Sequence, residues 1–257
     1  MKQLLISTFA AAVLLLFGGI NEVNADPLTY EVSGDTVTIK DCKETASGAL
    51  AIPLTYDGKP VTRIGENAFN GCSSLTSVTI PDSVTRIGNK AFAGCSSLTG
   101  VTIPDSVTSI GHLSFAGCRS LASMTFPESL TYISWGAFEG CSSLTSLTIP
   151  DSVTSIEGET FQGCSSLTGM TIPDSVTRIG NNAFVGCSSL TSVTIGNSVT
   201  RIGEYAFYGC SSLMGVTIPD SVTDIGLWAF RRCSSLISVT IPDQGRHHWG
   251  ICLQWLH

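Results

Sequence analysis

"GCSSLTSVTIPDSVTRIGNKAF" runs from Gly71 to Phe92, and near-copies follow from Gly94, from Gly140 and onward along the chain. Its cysteine recurs at Cys72, Cys95, Cys118, Cys141, Cys164, Cys187, Cys210 and Cys233, each 23 residues after the last, without insertion. Phenylalanine keeps the same step from Phe69 to Phe230. A unit this short cannot bury its own apolar face. Stacked copies can, each touching only its neighbours.

One copy reads as one coil. In "LTSVTI", Leu75, Val78 and Ile80 are apolar, and β-branched residues alternating with Thr79 favour a strand. Pro81 has no N–H to donate, so "PDS" ends the strand in a turn, with Asp82 and Ser83 able to bond local backbone. Val84 and Ile87 turn inward on an extended return. Gly88 follows, then "NKAFAG", long enough for a short helical turn that carries Phe92 inward. Equivalent strands of successive coils should lie parallel, about 4.8 Å apart, and eight of them give a sheet roughly 35–40 Å long.

The L-x-x-V-x-I spacing resembles the leucine-rich repeat. More narrowly, "CSSLTSVTIPDSVTRIGNKAFAG" resembles the BspA-like bacterial repeats, in which I-P, I-G and A-F recur. The resemblance covers about Leu28 to Asp243. Here the cysteine precedes the strand, whereas the general leucine-rich pattern has Asn or Cys after it. The fold expected is a leucine-rich-repeat solenoid, a β-rich α/β repeat with a parallel sheet on one face and turns and short helical turns on the other. Residues 26–60 would cap it: "VSGDTVTI" reads as a hairpin around Gly34-Asp35, and Ala49 aligns with the end of a repeat strand. The repeats proper would occupy 61–243.

Residues 1–25 read as a cleaved secretory signal peptide. Lys2 precedes an apolar run from Leu4 to Phe17, and Val23-Asn24-Ala25 fits the small-x-small cleavage rule. The run is short of the about 20 apolar residues a membrane span needs. No second span follows, so the mature chain is expected outside the cytoplasm, secreted or at a bacterial cell surface. The tail, 244–257, breaks the pattern with "QGRHHWGICLQWLH". Permitted codons for His248 to His257, read one base later, spell Ile-Gly-Glu-Tyr-Ala-Phe-Asn-Gly-Cys, the end of a consensus repeat. Trp249 and Trp255 force both glycines of that shifted reading. The tail is therefore expected to be a repeat read out of frame.

A net charge of −7 speaks against a nucleic-acid partner, which calls for basic patches. The eight in-register cysteines read as a structural ladder of buried thiols, with neighbour disulfides as the alternative, because parallel Cβ atoms near 5 Å exceed the preferred disulfide range of about 3.5–4.5 Å. Cys42 and Cys252 fall outside the period. The acids at the turn, Asp82, Asp105, Glu128, Asp151, Asp174, Asp220 and Asp243, read as turn caps rather than calcium ligands, since Asn197 fills the same place. No metal, cofactor or catalytic residue is assigned: serines sit in identical "CSSL" words, His112 is the lone histidine of the repeats, and a catalytic site must break repetition at one place.

What remains is surface. Thr79, Thr102, Thr125, Thr148, Thr171, Thr194, Thr217 and Thr240 should project from the sheet, either as a merely solvated strand face or as a candidate ligand face. Variation lies elsewhere: Arg86, Tyr132, Arg178, Arg201, Tyr205 and Tyr208 are candidate variable contacts, aromatics and Arg being favoured at interface hot spots. Trp135 and Trp228 are expected to pack between coils. BspA-like proteins are exported surface proteins that bind host or matrix proteins, other cells or glycans. The resemblance therefore implies a non-enzymatic adhesion or recognition module with a protein or glycan ligand. A structural envelope spacer and a carbohydrate-active enzyme are the alternatives.

Overall fold

The computed structural model describes residues 26–240. The expected signal peptide, Cys252 and the aberrant tail lie outside the described residues. The chain opens with β1 (Leu28–Ser33) and β2 (Thr36–Cys42), antiparallel around Gly34-Asp35. Gly34 has φ 56°, the left-handed conformation that a two-residue hairpin loop demands. Next come β3 (Ser47–Ala51), β4 (Thr55–Tyr56) and β5 (Lys59–Ile64), the last two forming a small hairpin. β3 lies parallel beside β6 (Ser74–Thr79), and β2 lies parallel beside β5. The N-terminal segment thus covers the open edges of two sheets.

From there every coil feeds both sheets. The first sheet takes segments such as Gly100–Thr102 and Ser192–Thr194; the second takes two-residue strands such as Arg86–Ile87 and Arg201–Ile202. The extended return of each coil is therefore a second parallel sheet, where the sequence suggested one sheet alone. Register is exact at one coil per step: Val78 pairs Val101, and Arg178 pairs Arg201.

No helix is present among the described residues, so the helical turns expected around "NKAFAG" are corrected to non-helical turns. Lys90 (φ 51°) and Gly94 (φ 73°) are left-handed and interrupt the right-handed run that a helix needs. Alternate N–H groups also leave the segment: Lys90, Phe92 and Gly94 donate to His112, Ser114 and Ala116 of the next coil, each at 2.7 Å. The turn face is thus a third stack of inter-coil hydrogen bonds.

The core is columnar. Leu98, Val107, Ile110, Phe115 and Cys118 are fully buried, and their equivalents repeat at each step. The phenylalanine rings stack face to face, from 4.8 Å between Phe69 and Phe92 to 5.9 Å between Phe138 and Phe161. A glycine column, Gly65, Gly88, Gly111, Gly180, Gly203 and Gly226, sets how close the coils come. A Cβ on Gly203 would stand 2.5 Å from the carbonyl carbon of Gly180, and one on Gly88 would stand 2.6 Å from that of Gly65. At two successive coils this column carries side chains instead: Ser134 and Glu157.

Candidate functional site at a break in the stack

Both sheets are interrupted in the region of those two coils. The second sheet stops at Tyr132–Ile133 and resumes at Ser155–Ile156. In the first, Ser123–Thr125 and Gly169–Thr171 are separated by a coil that forms no strand and meets its predecessor's strand through the Ser123–Ser146 bridge. Elsewhere Thr131 N–H reaches Thr108 O at 3.0 Å, Thr177 N–H reaches Thr154 O at 2.9 Å, and Gly180 N–H reaches Ile156 O at 2.8 Å. The equivalent bonds from Thr154 to Thr131 and from Glu157 to Ile133 are missing. The Phe138–Phe161 step is the widest of the ring ladder, at 5.9 Å. A Cβ in this column faces the preceding coil; the smaller Ser134 is accommodated, its N–H still reaching Ile110 O at 3.0 Å, and the gap falls on the step that must seat Glu157.

Departures from the repeat collect here. The His112 ring stacks on Trp135 at 4.8 Å, and Trp135 is 38% exposed. Gly158 stands in a column otherwise filled by Glu66, Asn89, His112, Trp135, Asn181, Glu204 and Leu227. A groove of about 300 Å³ opens there, lined by Trp135, Glu157, Gly158, Arg178, Asn181 and Arg201 among others. Arg178 is ion-paired to Glu157, and Arg201 Nε lies 3.2 Å from Asp224 Oδ2. On the adjoining turns, burial and the neighbouring Glu139 carboxylate raise the Glu159 carboxyl above its ordinary range. Ser114 replaces the alanine of most coils, and its hydroxyl is the one buried side-chain polar atom without a partner among the described residues.

The structure sorts the residues singled out in the sequence. Arg86, Tyr132, Arg178 and Arg201 share one exposed file on the second sheet, with Arg63 before them and Asp224 after. Arg178 and Arg201 reach the groove; Arg86 lies at the other end, beside Arg63, Lys40 and Asn89. Tyr205 and Tyr208 are not in this file. They sit on the turns, with Tyr205 against Trp228 at 5.1 Å and Arg232 over the Tyr208 ring at 5.3 Å. Trp135 and Trp228 both contact a ring of the preceding coil, as the inter-coil reading has it.

The threonine rank, Thr79, Thr102, Thr125, Thr148, Thr171, Thr194, Thr217 and Thr240, is exposed along its whole length. Threonines of neighbouring ranks, such as Thr99 and Thr177, bond the preceding coil. Among the described residues, the turn acids make no hydrogen bond to their own turns. Each turn closes through its backbone, as in Val84 N–H to Pro81 O at 3.0 Å, and the serine bonds backward, as in Ser83 Oγ to Val61 O at 2.6 Å. Asp174 reaches instead to the N–H of Asn197 in the next coil.

The cysteines Cys72, Cys95, Cys118, Cys141, Cys164, Cys187, Cys210 and Cys233 are buried free thiols, and Cys42 extends the column at its start. From Cys95 onward each Sγ donates to the phenylalanine carbonyl 26 residues earlier, at 3.1–3.3 Å. Cys72 Sγ has no phenylalanine there and donates to Cys42 O at 3.6 Å. Burial pushes the Cys95 and Cys164 thiols up to about 12. Among the described residues, no three His, Cys, Asp or Glu side chains converge as metal ligands, and no helix is long and apolar enough to cross a membrane.

Glu157, Gly158 and Asn181 escaped the sequence reading, which ranked variable side chains by hot-spot chemistry. The available signal was positional: a glycine missing from one column and inserted in the next.

Known proteins share this architecture. The family described as "BspA type Leucine rich repeat region" matches in six copies over residues 58–168 and 154–248. A leucine-rich repeat protein of T. pallidum is 30% identical, with a TM-score of 0.68 over 87% of this chain and 92% of that one. A leucine rich cell surface protein of Faecalibacterium prausnitzii is 34% identical, with a TM-score of 0.57 over 84% of this chain. The match spans about half of that longer protein, 53%. The pneumococcal vaccine antigen PcpA shares the fold at 21% identity and a TM-score of 0.56. No curated protein matches the chain.

Proposed function

The chain belongs to the BspA-type family of leucine-rich repeat proteins, and on that premise we propose that it is a non-enzymatic recognition module acting outside the cell, secreted or at a bacterial surface. Its ligand is an extracellular protein or glycan. One observation carries this reading: in a stack built almost wholly of identical coils, the exposed file Arg63, Arg86, Tyr132, Arg178, Arg201 and Asp224 varies from coil to coil. Identical positions suffice to stack a solenoid, while a varied file of Arg and Tyr supplies distinct contacts at each step. The cell-surface description of the F. prausnitzii protein supports the location.

The threonine rank is a second docking face on this reading, because its hydroxyls are exposed and make no hydrogen bond within the described residues. Probing the purified protein against a glycan array and a panel of matrix proteins tests the proposal. Binding that weakens on Arg86→Ala with Tyr132→Ala supports the second-sheet file; binding that weakens only on Thr148→Val with Thr171→Val moves the site to the first sheet. Silence across both panels favours a structural spacer.

A further inference from the structure

We propose that the groove beside Trp135 is a subsite for a carboxylated pyranose, a hexuronic or sialic acid residue of an extracellular glycan; this rests on the recognition reading above. Gly158 is the missing member of a side-chain column; the Trp135 indole leans over it, and the groove opens along the surface outside it, lined by Trp135, Glu157, Arg178, Asn181 and Arg201. His112 covers one face of the indole. The pyrrole edge leans over Gly158, where a Cβ would stand 2.9 Å from Trp135 Cδ1 and Nε1. Only glycine at 158 lets the indole lie there, and Trp135 stays 38% exposed toward the groove.

The remaining lining matches the periphery of an acidic sugar. An indole surface takes the C–H face of a pyranose, and the few polar groups placed around it fix orientation. Asn181 Oδ1 accepts from the Glu204 N–H at 3.0 Å, which leaves its amide NH2 to donate to ring hydroxyls, and the free lone pairs of Glu157 accept from others. Arg178 and Arg201 are register neighbours on adjacent strands. Each spends part of its donor set on one carboxylate, Arg178 on Glu157 through Nη2 and Arg201 on Asp224 through Nε. The guanidinium carries five N–H donors, so terminal donors remain for the ligand's carboxylate. Guanidinium donors suit a carboxylate in a way that an ammonium does not. A neutral sugar would leave those donors unused, and a bare anion would leave the indole unused.

The test is tryptophan-fluorescence titration, with calorimetry, of the purified protein with 3′-sialyllactose, a hyaluronan tetrasaccharide, lactose and acetate. One acidic saccharide should bind with a Kd below about 1 mM, at least tenfold tighter than lactose or acetate. Trp135→Ala, Arg201→Ala and Gly158→Ala should each weaken it tenfold or more, with thermal unfolding confirming that the variants fold. Gly158→Ala adds one methyl group against the indole and removes no polar partner, so it reports the seating of Trp135. Acidic saccharides that bind no better than lactose or acetate overturn the proposal, as does binding indifferent to Trp135→Ala and Gly158→Ala. If a ligand found on the glycan or matrix panel binds wild type and Trp135→Ala equally, this subsite is wrong while the recognition reading stands.

Discussion

The rings of Phe138 and Phe161 stand 5.9 Å apart, whereas the other steps of the same ladder span 4.8 to 5.4 Å. The wide step lies beneath the point where the second sheet stops after Ile133 and resumes at Ser155. Core and sheet thus report one dislocation, and its cause lies in the glycine column. Gly65, Gly88 and Gly111 permit backbone contact, and Ser134 keeps it, its N–H reaching Ile110 O at 3.0 Å; Glu157 does not.

The dislocation costs stability, and removing it should return some. Glu157→Gly is expected to stabilise the protein by about 1–2 kcal/mol, through the two regained inter-coil hydrogen bonds. Hydrogen exchange at the amides of Thr154 and residue 157 should slow at the same time. Unchanged exchange at both amides would show that the column does not set the coil spacing.

The converse change should create a second break. Gly203→Ala places a methyl group 2.5 Å from the Gly180 carbonyl carbon, and overpacking of this kind costs about 1–3 kcal/mol. Urea unfolding measures it. A variant as stable as wild type would mean that the stack yields without strain.

Ser114 offers a simpler gain. Its buried hydroxyl has no partner, while Ala91 and Ala137 occupy the same place in neighbouring coils. Ser114→Ala should raise stability by about 1 kcal/mol, since the unsatisfied hydroxyl is removed with little change of shape. A lowered melting temperature would contradict the account.

The thiol column should make the fold sensitive to alkali. A free cysteine in the unfolded chain titrates near 8.5, whereas burial holds Cys95 and Cys164 near 12. Between those values the unfolded chain has released protons that the native chain keeps, so rising pH favours unfolding. The full contribution is present below about pH 8.5 and falls by about 1.4 kcal/mol per pH unit for each such thiol above it. Urea midpoints measured at pH 7 and pH 10 under reducing conditions should drop clearly; equal midpoints would show that the thiols are not sealed from solvent. Native protein should likewise react with a thiol reagent only after denaturant is added.

Much of this architecture is legible in the sequence because the period writes it out. Inward Leu98, Val101 and Ile110, the hairpin at Gly34-Asp35 and the stacked cysteines all follow from phase and residue type. The second sheet was less legible, since two residues such as Arg86–Ile87 are too few to show alternation. The helical reading of "NKAFAG" failed because Lys90 adopts a left-handed conformation that its residue type does not advertise, and it is held there by hydrogen bonds to the next coil. The groove was hidden for another reason. Glu157 and Gly158 look ordinary singly, and their meaning lies in the columns they interrupt.

The most direct test of a recognition surface at the break is a return to consensus. A variant carrying Trp135→Asn, Glu157→Gly and Gly158→Asn gives these coils the residues of their neighbours. Its affinity is then measured for whichever glycan or matrix protein binds wild type. The account predicts at least a tenfold loss of affinity with thermal stability unchanged or raised; wild-type affinity in that variant would contradict it.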